Sequence, residues 1–177
     1  MPRKSKIDWL EIGLQALGQS GLEALTIDGL ATRIGLTKGS FYHHFESMQD
    51  YEQQLLAHWA NQYLSTSASL PVEPHERLIL LDSLMENTFG PITEPEISIR
   101  TWAQQNDQVR PYVEQVDAFR RQLILDIFSS LLSEEEQAQM MTDMLFTITI
   151  GSMATFPRLS PERVLKMYRE LKRLFGL

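Results

Sequence analysis

Between Thr26 and Phe45 the sequence TIDGLATRIGLTKGSFYHHF sets two short helical patterns on either side of one glycine, so that only a tight helix-turn-helix buries both. Ile27, Leu30, Ala31 and Ile34 recur at i, i+3, i+4 and i+7, the spacing of one buried helical face. Gly35 then supplies a turn residue free of side-chain strain. Thr37 is placed to cap the second helix by accepting a backbone N–H bond, and Phe41 and Phe45, one turn apart, pack back onto the first helix. That packing leaves Gly39, Ser40 and His43 on the outer face, with Thr37, Lys38 and Tyr42 toward its margins.

The outer face is small at its N-terminal end and rich in hydroxyls, which suits a helix that enters the DNA major groove with its first residues at base edges. Thr37 and Ser40 can donate or accept at bases or phosphates, and Gly39 lets backbone come close. Lys38, Tyr42 and His43 are placed to hold phosphates, contacts that position a protein without reading sequence. An ordinary helical hairpin with a solvated polar face shares the same pattern.

The run GLTKGSFYHHF, Gly35 to Phe45, resembles the recognition-helix signature of the TetR family of bacterial transcriptional regulators. Its surroundings agree: a helix over Ile7–Gly18, a GLEALT-type turn at Gly21–Thr26, and a long helix from near Ser47. The specific match covers the first fifty residues, and the rest is similar only in length and all-helical pattern. The resemblance implies DNA contacts at Thr26, Thr37, Lys38, Gly39, Ser40, Tyr42 and His43. It also implies a homodimer on a palindromic operator, a repressor by family tendency, and an effector that moves the linking helix. Members often carry a phosphate-binding lysine in the first turn of the fourth helix. Here that neighbourhood reads Glu46-Ser47-Met48-Gln49-Asp50, which lacks the charge.

Net charge is −7 over 177 residues, an unexpected sign for a DNA-binding chain. The acidity is not evenly spread. Residues 1–45 hold Arg3, Lys4, Lys6, Arg33 and Lys38 against Asp8, Glu11, Glu23 and Asp28, a net of +1, and the remainder carries −8. Distance matters because charges are screened over about 8 Å at physiological salt. Arg3, Lys4 and Lys6 read as a short basic arm before the first helix, able to follow a DNA backbone or to act as a solubilising tail. The absence of cysteine excludes disulfides and thiolate chemistry. No secretion signal is evident, and the apolar run Met144–Phe156 is too short to span a bilayer. The expectation is a cytoplasmic protein.

Beyond Ser47 the pattern is helical throughout. Ser47 caps a helix to about Leu64 with Tyr51, Leu55, Trp59 and Tyr63 on one stripe, and Ser65–Pro74 reads as a loop. Further helices are expected over His75–Gly90, Glu96–Asn106, and from Pro111 to Leu132. Ser133 with Glu136 reads as a capping box for a helix over Glu134–Thr155, and Ser160-Pro161-Glu162 starts another to Phe175. The expected architecture is all-α with nine helices: an N-terminal three-helix helix-turn-helix DNA-binding domain over 1–46, joined by a long helix to a larger helical dimerisation and ligand-binding domain over 47–177.

The last two helices carry more apolar surface than one side of a small core needs. Met140, Met141, Met144, Leu145, Ile148, Gly151, Ser152 and Thr155 lie on one. Val164, Leu165, Tyr168, Leu171, Leu174 and Phe175 lie on the other. Pairing two copies would form a two-fold four-helix interface. Trp59, Tyr63, Met85, Phe89, Trp102, Tyr112, Phe119 and Met144 are candidates to line a cavity for an apolar or amphipathic effector, although the same residues suit an ordinary core. A ligand that discriminates about a hundredfold between two conformations supplies about 2.7 kcal/mol.

Enzymatic signatures are absent. Gly18-Gln19-Ser20-Gly21 fails the nucleophile-elbow spacing, His43, His44, His58 and His75 show no metal-ligand spacing, and no Gly-rich phosphate loop occurs. A helical metabolite carrier or enzyme, or a protein-binding helical dimer without operator recognition, are the alternatives. Neither explains the small, hydroxylated face from Thr37 to Phe45.

Overall fold

The computed structural model describes residues 4–65, 70–88 and 94–177. Among these are nine α-helices and no strand: α1 (Lys6–Ser20), α2 (Ile27–Ile34), α3 (Lys38–Tyr42), α4 (Met48–Leu64), α5 (Pro74–Thr88), α6 (Glu94–Ala103), α7 (Arg110–Leu131), α8 (Glu135–Ala154) and α9 (Pro161–Leu174). None of them is long and apolar enough to cross a membrane.

Most boundaries follow from local chemistry. Ser5 caps α1, accepting the Asp8 N–H while the Asp8 carboxylate accepts the Ser5 N–H, which satisfies two otherwise orphaned donors. Lys6 therefore belongs to the first turn of α1 rather than to a free arm, and Arg3 lies outside the described residues. Gly35 ends α2 in the left-handed conformation at φ 74°, the role its position predicts. Ser47 and Ser160 cap α4 and α9 through the N–H groups of Asp50 and Arg163. The expected Ser133–Glu136 box does not form. Glu134 occupies the cap without a side-chain bond, which puts Glu136 one place short of the position a box requires. The expected end of the fifth helix at Gly90 lies outside the described residues.

The chain divides into two compact units, Met1–Thr66 with Glu94–Val116, and Ser67–Thr93 with Asp117–Leu177. The first is thus larger than the helix-turn-helix segment, since α6 packs on α1. Its core joins Trp9, Leu14 and Leu17 of α1, Leu30 of α2, Phe41 of α3, Tyr51, Leu55 and Trp59 of α4, and Ile99 and Trp102 of α6. The Ser98 hydroxyl donates to the Leu17 carbonyl at 2.8 Å, and His58 of α4 meets Glu11 of α1 at 2.6 Å. Tyr51, fully buried, donates to the Trp9 carbonyl at 2.9 Å and lies against Gly13, where any side chain would collide with its hydroxyl. Among the described residues the buried indole N–H groups of Trp9 and Trp59 find no acceptor, a cost of about 1–3 kcal/mol each that the burial of these large rings must offset.

In the second unit, Leu81 and Met85 of α5, Ile127 and Phe128 of α7, Met141 and Leu145 of α8, and Val164, Tyr168 and Leu171 of α9 share a core. Asp82 ties α5 to α9, accepting from the Tyr168 hydroxyl and the Lys172 ammonium, both at 2.6 Å. The Arg121 guanidinium bonds Asp143 at 2.6 Å and stacks over Phe146.

Burial pushes both Tyr51 and Tyr168 above the ordinary phenol range, with Asp82 adding to the shift at Tyr168. A raised folded-state value means that the unfolded phenol ionises first. The stability contribution is complete below about pH 10 and declines as pH rises beyond it. Urea unfolding should therefore show stability falling above about pH 10, less steeply in the Tyr51→Phe/Tyr168→Phe variant. Identical pH profiles for the two proteins would contradict the burial of these hydroxyls.

Candidate nucleic-acid interface

The face built by α2, α3 and the start of α4 is positioned by its buried side. Phe41 is fully buried, with ring centroids 5.6 Å from Trp9, 5.1 Å from Phe45 and 5.4 Å from Tyr51. This anchors a helix of only five residues. A further turn follows it, with the N–H groups of His44 and Phe45 both bonded to the Phe41 carbonyl. What remains outward is the polar set expected from the sequence. Thr37, Lys38, Gly39, Tyr42 and His43 are exposed and Ser40 is half-buried.

Each of these positions has a local cause. Thr37 occupies the α3 cap but makes no capping bond, contrary to expectation, because the Ser40 N–H is taken by the Thr37 carbonyl at 3.0 Å. Its hydroxyl is therefore not committed to the cap. Thr26 is the residue that does cap, accepting the Gly29 N–H at 3.1 Å. The approach is close enough that a Cβ on Gly29 would stand 3.0 Å from the Thr26 hydroxyl oxygen, a role for this glycine that the sequence does not advertise. Tyr42 is 57% exposed and rests edge-on against Phe41 at 5.5 Å, so its hydroxyl is carried outward on a fixed ring. The His43 and His44 rings stand edge to face at 5.2 Å.

Two cations behave differently from a simple sequence reading. Arg33 is turned to α1, where it bonds Gln19 at 3.0 Å and Ser20 at 3.1 Å. Lys38 is paired with Asp28 of α2 at 2.7 Å, and this carboxylate holds the ammonium above the usual lysine range. At the start of α4, where Met48 stands, a cation arrives from α1: Lys6 lies 5.3 Å from the Phe45 ring centroid. The Asp50 carboxyl there is held below its ordinary range, chiefly by the Glu46 N–H, then by Gln54, with the charge of Lys6 contributing.

The arrangement is a short helix with a small, hydroxylated tip, braced by a second helix across a glycine turn. Residues 10–50 match the profile described as "Bacterial regulatory proteins, tetR family". They form a TetR-family DNA-binding domain. Two solved structures share the fold of the whole chain. A TetR transcription regulator from Haloarcula marismortui ATCC 43049 aligns over 94% of this chain and 95% of its own with a TM-score of 0.74 at 16% identity. A transcriptional regulator from Rhodococcus sp. Rha1 aligns over 97% and 95% with a TM-score of 0.75 at 13% identity. No curated protein matches the chain in sequence. With its TetR-family domain and all-helical TetR fold, the protein is a DNA-binding transcription regulator.

The aromatic residues expected around an effector are divided between the two units. Trp59, Tyr63, Trp102 and Tyr112 belong to the first, where Trp59 and Tyr63 meet at 5.5 Å. Met85 is in the core of the second, Phe119 is half-buried, Met144 is 42% exposed on α8, and Phe89 lies outside the described residues. Sequence reasoning missed the polar partners beside Tyr63. Glu96 is fully buried, accepts from the Tyr63 hydroxyl at 3.1 Å, and receives two bonds from Arg100 at 3.0 and 2.9 Å. The Glu96–Arg100 spacing of i, i+4 was the available signal.

Proposed function

We propose that the protein is a ligand-responsive repressor that binds a palindromic operator as a homodimer. Thr37, Gly39 and Ser40 meet base edges, and Thr26, Tyr42 and His43 meet the phosphate backbone, which Lys38 reaches only by giving up its Asp28 partner. The observation that carries this reading is Gly39. It is exposed, its φ is not positive, and among the described residues a Cβ there would meet only the Thr37 hydroxyl, at 3.7 Å. Neither packing nor conformation asks for glycine inside α3, where it costs about 1 kcal/mol against alanine. Close approach of an external surface supplies the reason.

Dimerisation through α8 and α9 is supported by the way these helices divide their apolar residues. Met141, Leu145, Val164, Tyr168 and Leu171 face the core, whereas Met140, Met144, Met167 and Leu174 are exposed, Leu174 by 73%. Two copies joined there would present two recognition helices to half-sites in register with the DNA turn of roughly 34 Å. An apolar or amphipathic effector is supported by the Trp59, Tyr63, Trp102 and Tyr112 group beside the buried Glu96–Arg100 pair. The reading makes this a binding protein rather than an enzyme, acting in the cytoplasm.

Gly39→Leu tests it. Thermal unfolding should be unchanged or slightly raised, because leucine is the better helix former, while affinity for operator DNA should fall by about tenfold or more, the worth of one well-made base contact. Retained operator affinity in a folded variant would remove α3 from the groove.

A further inference from the structure

The pairing of Asp28 with Lys38 has no structural work to do. The two side chains, 72% and 61% exposed, meet at 2.7 Å. Ion pairs so open to water add little to stability, and α2 is already joined to α3 through Leu30, Ala31 and Phe41 in one core. The pair does alter what the face offers to a polyanion. A lysine that reaches a phosphate releases a condensed counter-ion from the DNA, and this release drives sequence-independent binding. A lysine already neutralised by a carboxylate has to give that partner up, and the bared carboxylate then stands beside the phosphates. Net release is close to nil.

We propose that Asp28 sets the affinity and specificity of the DNA interface by holding Lys38 in a neutral pair, so that the recognition helix gains little attraction to DNA of arbitrary sequence. The inference rests on the DNA-binding role of this face. Residues 1–45 carry a net charge of only +1, so one carboxylate weighs heavily there. Asp28 sits in the first turn of α2, where a negative charge also suits the helix dipole, and the test therefore needs a readout that helix stability would not move.

The salt dependence of binding is that readout. Wild type, Asp28→Asn, Asp28→Glu, Lys38→Gln and the Asp28→Asn/Lys38→Gln double variant are titrated onto a fluorescently labelled duplex of arbitrary sequence, with thermal melts confirming that each is folded. Asp28→Asn should steepen the slope of log K against log salt by about 0.9, the value of one added phosphate contact, a relative gain of about 3.5-fold at 50 mM over 200 mM salt. Asp28→Glu, which keeps the charge, should track wild type. Lys38→Gln should change the slope little alone, but should abolish the added 0.9 in the Asp28→Asn background. Binding by wild type with a slope that Asp28→Asn leaves unchanged, or a slope that Lys38→Gln alone already lowers by about 0.9, overturns the proposal and leaves the DNA reading intact. A folded wild type that binds no duplex at any salt overturns both.

Discussion

Replacing Phe41 by alanine should lower the unfolding free energy of the N-terminal unit by about 3–5 kcal/mol, the range for truncating a buried phenylalanine. The ring is fully buried and touches Trp9 of α1, Tyr51 of α4 and Phe45 just beyond α3, so its loss opens a cavity where all three elements meet. Part of the cost is specific to these aromatic pairs, each worth about 0.5–1.5 kcal/mol beyond burial. Against a typical total of about 5–15 kcal/mol, the loss is large enough to populate unfolded α3. DNA binding should fail together with the fold, unlike Gly39→Leu, where binding alone fails. Urea unfolding monitored by circular dichroism decides it, and unchanged stability would show that Phe41 does not anchor the recognition helix.

Gly13→Ala should also destabilise, by about 2–4 kcal/mol, although alanine is the better helix former by about 1 kcal/mol. A Cβ at position 13 would lie 1.9 Å from the Tyr51 hydroxyl oxygen. That hydroxyl cannot swing clear, since the ring is fully buried with Phe45 at 4.9 Å and Phe41 at 5.4 Å. Displacing it breaks the bond to the Trp9 carbonyl and leaves the buried Tyr51 hydroxyl unmatched. Removing the hydroxyl should relieve the strain. In the Gly13→Ala background Tyr51→Phe should recover part of the stability, because the next contacts, the Tyr51 ring carbon and a Leu55 methyl, stand at 3.1 Å and need only a small shift. Simple additivity of the two substitutions would contradict this contact.

Elements whose signals are local were legible before the structure. The i, i+3, i+4, i+7 stripe of α2, the turn at Gly35, and the caps at Ser47 and Ser160 each depend on residues within one turn of one another. Ser133 shows the limit of such signals: Ser-x-x-Glu spacing is necessary for a capping box but does not fix where the helix starts, and α8 takes Glu134 as its cap. Long-range partners were not legible. Nothing near Gly13 points to Tyr51, and nothing in α6 announces that Ile99 and Ser98 pack on α1, because those contacts join segments far apart in sequence, 42 residues for Trp9 and Tyr51 and 81 for Leu17 and Ser98. The outward face of α3 was read correctly as polar and exposed because Phe41 and Phe45 fix its inner side. The Asp28–Lys38 pair escaped because it crosses the turn between two helices rather than following one helix face.

The central claim is that the α3 face reads a specific DNA sequence. Purified protein incubated with fragmented DNA from its source genome at moderate salt, followed by sequencing of the bound fragments, tests it directly, with the Tyr42→Ala/His43→Ala double variant as the control. Enrichment of a palindromic site by wild type, lost in the double variant, is the predicted result. A folded wild-type protein that enriches no site across a range of salt would contradict it.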